Sequence, residues 1–151
     1  MKLKTLVGAG DHIGLLVLPF LVVGLALNVL RPALFGVGGP PAALRALSIA
    51  VLIPGGIAWI WSVVLILTEV PKRRLITSGP FVLVKHPLYT AVSLLVLPWV
   101  GFLLDSWLGA VLGVVLYVAS RLFAPEEERM LAQAFGPAWD EYRRSVKIGW
   151  L

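Results

Sequence analysis

The sequence predicts an all-α fold: a polytopic membrane bundle of about four transmembrane helices, with a C-terminal helical hairpin and short cytoplasmic interfacial helices. Three observations predict it. Of 151 residues, 59% are hydrophobic and only 14% charged, and the mean hydropathy is +0.92. A soluble domain usually carries about a quarter charged residues. The apolar residues fall in runs long enough to cross a bilayer, which takes roughly 17–25 residues in a helix. The cations gather at the ends of those runs.

The first span is expected over 13–30, with Pro19 and Gly24 inside it and Arg31-Pro32 ending it. Its length, and Asp11-His12 ahead of it, favour a retained span over a cleaved signal peptide. A Gly- and Pro-rich loop follows. The second span, 42–68, is longer than a bilayer needs, and Pro54-Gly55-Gly56 is the expected kink. A polar loop over 70–87 leads to a third span, 88–104. Asp105-Ser106 then makes a short turn into a fourth, 107–123, so the last two spans form the hairpin. In the tail, 124–151, Pro125 and Glu126-Glu127-Glu128 suit the start of a new helix. Gly136-Pro137 breaks that helix. A further short helix from Ala138 to about Val146 carries Trp139, Tyr142 and Val146 on one face, and both tail helices are expected to lie at the membrane interface. The whole chain reads as one domain.

Thirteen Lys and Arg outnumber eight Asp and Glu. With four spans, only Arg31 and Arg45 fall on one side. The others, from Lys2 and Lys4 through Arg129 to Lys147, share the opposite side with both termini. The positive-inside rule makes that side cytoplasmic. Cations placed there face anionic lipid headgroups, so membrane lipids are the expected partners and nucleic acid is not. The chain has no Cys and two His, which excludes thiolate chemistry and a His-rich metal centre. Oligomeric state is left open.

Two polar clusters share the cytoplasmic side, 77–89 and 121–129. Each alone reads as loop and cap chemistry. His86 stands where the loop enters the third span, and Tyr89 is one helical turn from Lys85 and His86, so the three can line one pocket. A carboxylate near a bilayer needs a partner. Arg121, Arg129 or a cationic ligand can serve Glu126-Glu127-Glu128.

Ser78-Gly79-Pro80-Phe81, then Lys85-His86-Pro87-Leu88-Tyr89, then Glu127-Glu128 with Leu131, Phe135-Gly136 and Tyr142, resemble the isoprenylcysteine carboxyl methyltransferase family. That group of integral-membrane methyltransferases includes phospholipid methyltransferase-like proteins. The resemblance covers about 72–147. It implies S-adenosylmethionine as cofactor and methyl transfer as the reaction. It further implies His86 and Glu127 as catalytic residues. The cofactor would be held by Arg74, the backbone of Phe81, Val82, Leu83 and Val84, the side chains of His86, Tyr89, Leu94 and Leu97, and Glu127 with Glu128. Lys85 stands where the family has Arg, and Phe123 where the carboxyl methyltransferases carry a substrate-binding Arg. Arg121 is then the candidate substrate contact.

The expected acceptor is a lipophilic small molecule entering from the bilayer. A carboxylate acceptor needs no base, whereas an amine must lose a proton to His86 or a Glu, and both remain open. Alternatives are a small membrane transporter, a structural membrane subunit, or an NADPH-dependent membrane reductase. No span carries a charge deep in the bilayer, as transport pathways usually do.

Overall fold

Proline and glycine decide where these apolar runs bend and how closely they pack. In the computed structural model, which describes residues 3–149 and their side chains from His12 onward, the elements are all helical. They are α1 (Leu3–Leu30), α2 (Ala42–Glu69), α3 (Pro87–Leu103), α4 (Leu108–Phe135) and α5 (Pro137–Ser145). Lys2, and the side chains of Lys4 and Asp11, lie outside the described residues. Three stretches are long and apolar enough to cross a membrane: His12–Leu30, α2 and α4. α3 is shorter. Large apolar side chains on α1 and α2, such as Leu15, Val29, Ile53 and Ile60, stay exposed, as lipid-facing residues do.

α4 departs from expectation. It runs unbroken through Pro125, with no new helix starting there. A proline inside a helix removes one hydrogen bond, here to the Arg121 carbonyl. Packing on both sides outweighs that loss: Ala119, Ser120 and Ala124 are buried before it, and Leu131 and Phe135 pack after it. At 28 residues the helix is about 42 Å long at 1.5 Å per residue. The hydrocarbon core is about 30 Å thick, so its acidic last turns project beyond the apolar part. The apolar face of α5 packs on the rest of the chain. Trp139, Tyr142 and Val146 are buried against Leu75, Phe81, Leu131 and Phe135, so its apolar face is covered by protein rather than lipid.

Glycines set the packing. A Cβ on Gly109 would run into the Leu97 carbonyl and Gly101, and one on Gly113 into the Ser93 carbonyl. α3 and α4 therefore touch backbone to backbone. Gly55 does the same for α2 against Leu95. α2 continues as a helix through Pro54. Within α3, Ala91–Val96 is wound as a π-helix. Pro98 cannot donate to the Leu94 carbonyl, and the Trp99 indole does so instead at 3.1 Å. α1 lies antiparallel along α4: Gly24 meets Leu108, and His12 stacks on Phe123 with ring centroids 5.6 Å apart.

At the end of the bundle away from the polar loop, Asp105 ties two connections together. Its Oδ1 accepts from Val37 N (3.2 Å) and Gly39 N (2.9 Å). Trp107 Nε1 donates to the Leu34 carbonyl at 2.9 Å.

Candidate functional site

The loop between α2 and α3 is shaped by residues that only one conformation suits. Gly79 has φ 61° and lies against the Trp61 indole, which a Cβ would meet at 2.9 Å. Glycine satisfies both demands, and the loop docks on α2 there. A 3₁₀ turn over Gly79–Val82 follows, and Pro87 starts α3 with its φ already helical. His86 is thereby fixed just before the helix and is buried.

The last turns of α4 meet it. His86 Nδ1 lies 3.6 Å from Glu127 Oε2, and Nε2 lies 3.4 Å from Glu128 Oε1. Consecutive helical residues diverge by about 100°, so the two carboxylates flank the ring, one at each nitrogen. Lys85 Nζ sits 2.5 Å from Glu128 Oε1. Among the described residues Glu128 pairs with Lys85 and His86, and Glu127 pairs with His86. Of the two carboxylates, Glu127 is the one that lines the cavity.

These groups stand in the wall of a cavity of about 380 Å³, bounded by α2, the loop, α3, the end of α4 and α5. Arg74, Phe81, His86, Tyr89 and Glu127 all line it. Glu128 stands behind, braced on Lys85 and His86. Val82, Leu83, Val84, Leu94, Leu97 and Arg121 are not among the lining residues. The carbonyls of Phe81, Val82 and Leu83 accept from Tyr142 Oη (2.9 Å), Lys147 N (3.2 Å) and Ile148 N (2.8 Å). Leu94 is exposed, Leu97 packs with Phe35, Leu108 and Leu112, and Arg121 is exposed.

Several wall residues were not assigned to the site from the sequence, although Leu131, Phe135 and Tyr142 stand in the family motifs. Leu131, Phe135, Trp139 and Tyr142 come from the tail, Ile66 and Val70 from the end of α2, and Arg73 from the loop. The i, i+4 spacing of Leu131 and Phe135 was a usable signal. Nothing in the sequence distinguishes Arg73 from its basic neighbours. Tyr142 is buried, and burial pushes its phenol well above the usual value, with the Glu128 charge adding to the effect.

The wall is mostly apolar, with an acid–imidazole pair at one place and arginines at another. Its volume falls within the roughly 300–1,000 Å³ of small-molecule sites. Such a site can hold a cation against Glu127 and exclude water from it. The sequence profile described as the isoprenylcysteine carboxyl methyltransferase family matches residues 43–133. That stretch takes in most of α2, the loop, all of α3 and α4 as far as Gln133. No curated protein and no solved structure matches the chain.

Proposed function

The chain belongs to the isoprenylcysteine carboxyl methyltransferase family, and on that premise we propose that it is an S-adenosylmethionine-dependent methyltransferase acting on a lipophilic acceptor drawn from the bilayer. The family implies methyl transfer, and the apolar helices imply an integral membrane protein. In the proposed topology α3 is a fourth span, short and paired with α4 as a hairpin. Both termini and the basic loop then face the cytoplasm beside anionic lipids.

The observation that carries the proposal is the convergence of His86 and Glu127, 41 residues apart in sequence, in one cavity wall. The residues fit the cofactor. Glu127 offers a carboxylate to a cationic ligand, and Arg74 a guanidinium to a ligand carboxylate. Phe81 and Tyr89 supply aromatic surface. When bound, the cofactor supplies a methyl group on a positively charged sulfur. The protein's part is to orient and to exclude water. Lys85 and Glu128 lock His86, and His86 fixes Glu127. The apolar wall keeps a lipid-soluble acceptor dry, and proximity then supplies much of the rate. Leu67 both lines the cavity and is 66% exposed on the bundle surface, which gives the acceptor a sideways route from the bilayer.

Calorimetry on the purified full chain in non-ionic detergent tests this. S-adenosylhomocysteine is expected to bind at one site, and His86→Ala and Glu127→Ala are each expected to weaken it. Absence of binding by folded protein overturns the proposal.

A further inference from the structure

We propose that the π-helical turn Ala91–Val96 aims the first turn of α3 into the cavity, with Ser93 and Trp99 as the positioning residues that hold it; this rests on the reading of the cavity as the methyl-transfer site. An α-helical N–H donates to the carbonyl four residues back, and a π-helical one to the carbonyl five back. Here Leu97 N donates to the Val92 carbonyl. The turn therefore takes in one residue more than α winding does. One residue corresponds to about 100° of rotation about the helix axis. The part of α3 before the turn is rotated by that angle against the part after it.

Both parts are fixed to something. Before the turn, Pro87, Leu88 and Tyr89 line the cavity, directly after His86. After it, α3 is locked on α4, where a Cβ on Gly101 would meet Gly109 at 2.9 Å. The second part of α3 cannot rotate without breaking that backbone contact. Winding 91–96 as an α-helix would therefore swing Pro87–Thr90 instead, and take Tyr89 out of the wall. Turns of this kind are rare and gather at functional sites.

The chain provides for the turn on every side. Ser93 is fully buried and donates its hydroxyl to the Thr90 carbonyl at 3.3 Å. Pro98 has no N–H to offer the Leu94 carbonyl, and the Trp99 indole donates there at 3.1 Å. The wider turn needs room on both flanks, and glycine supplies it. A Cβ on Gly55 of α2 would come within 2.6 Å of the Leu95 Cβ, and one on Gly113 of α4 would strike the Ser93 carbonyl. Trp99 lies about 15 Å of helix from Tyr89, so its hydrogen bond acts on the cavity only through the winding.

The test is calorimetry with S-adenosylhomocysteine on the full chain in dodecyl maltoside. Deletion of Val92 restores α winding and is expected to weaken binding about tenfold or more, because misplaced contacts are lost contacts. Val92→Ala keeps the residue count and is expected to bind as the parent does. Ser93→Ala combined with Trp99→Phe removes both side-chain donors and is expected to weaken binding about threefold or more. Asp105→Ala, destabilising at the far end of the bundle, is expected to leave affinity unchanged, which separates misplacement from lost stability. Parent-like affinity in the deletion variant overturns the proposal, as does equal loss in Val92→Ala or Asp105→Ala. Where the deletion variant does not fold, the double variant decides by the same rule. A second readout does not depend on the cofactor. The chain has no cysteine, so Leu88→Cys places a single thiol in the wall. Its rate of alkylation by a maleimide is expected to change several-fold in the deletion or double variant, and an unchanged rate overturns the proposal. A parent that binds no S-adenosylhomocysteine defeats the methyltransferase reading alone, and the thiol then decides on the turn.

Discussion

Tyr142 donates its hydroxyl hydrogen to the carbonyl oxygen of Phe81 at 2.9 Å, joining α5 to the turn before the site histidine. Burial keeps this phenol protonated and able to donate. Lys147 N and Ile148 N extend the same seam to the Val82 and Leu83 carbonyls. The tail therefore braces the loop from which His86 projects.

Tyr142→Phe removes that donor and leaves the ring. The expected loss is about 1 kcal/mol of stability, the usual net worth of one hydrogen bond. Melting of the detergent-solubilised variant should show it. S-adenosylhomocysteine should bind more weakly, because the loop is less well held.

Lys85→Met leaves Glu128 with only His86 as a partner. Glu128 is part-buried, so the expected destabilisation is about 1–3 kcal/mol, below that of a fully buried pair. Lys85→Arg keeps the charge and is expected to stay close to the parent. Denaturation curves of the two variants provide the comparison, and equal curves would remove the pair from the fold's account.

Gly109→Ala drives a Cβ into the Leu97 carbonyl, backbone that cannot swing aside. Overpacking of this kind costs about 1–3 kcal/mol. Gly56→Ala is the control. Nothing lies within 4 Å of its added carbon, and alanine favours a helix by up to about 1 kcal/mol over glycine. The first variant should melt lower than the parent and the second no lower.

Asp105→Ala leaves Val37 N and Gly39 N without their shared acceptor. The expected loss is about 1 kcal/mol, since the site is exposed and water substitutes in part. Asp105→Asn keeps an acceptor oxygen and tolerates the left-handed backbone at φ 56°. It should melt close to the parent, and a fall equal to that of alanine would show that the charge, not the acceptor, matters.

The sequence by itself determined the class of this protein, because bilayer thickness imposes a length on apolar runs that no soluble core requires. It also carried the family motifs, since His86-Pro87 and Glu127-Glu128 are local patterns readable one residue after another. The continuation of α4 through Pro125 was not readable. Local propensity argues for a break there, and packing on both sides of the proline, by Ala119, Ser120 and Ala124 before it and Leu131 and Phe135 after it, overrules it. The burial of Trp139 and Tyr142 in protein rather than lipid was hidden for a related reason: an apolar helix face fits either environment. The tertiary structure alone decided that the imidazole of His86 stands between Glu127 and Glu128 and that Lys85 joins Glu128. Compensation of a charge depends on groups within about 4 Å in space, and those beside Glu127 and Glu128 come from the loop that enters α3, about 40 residues away in sequence.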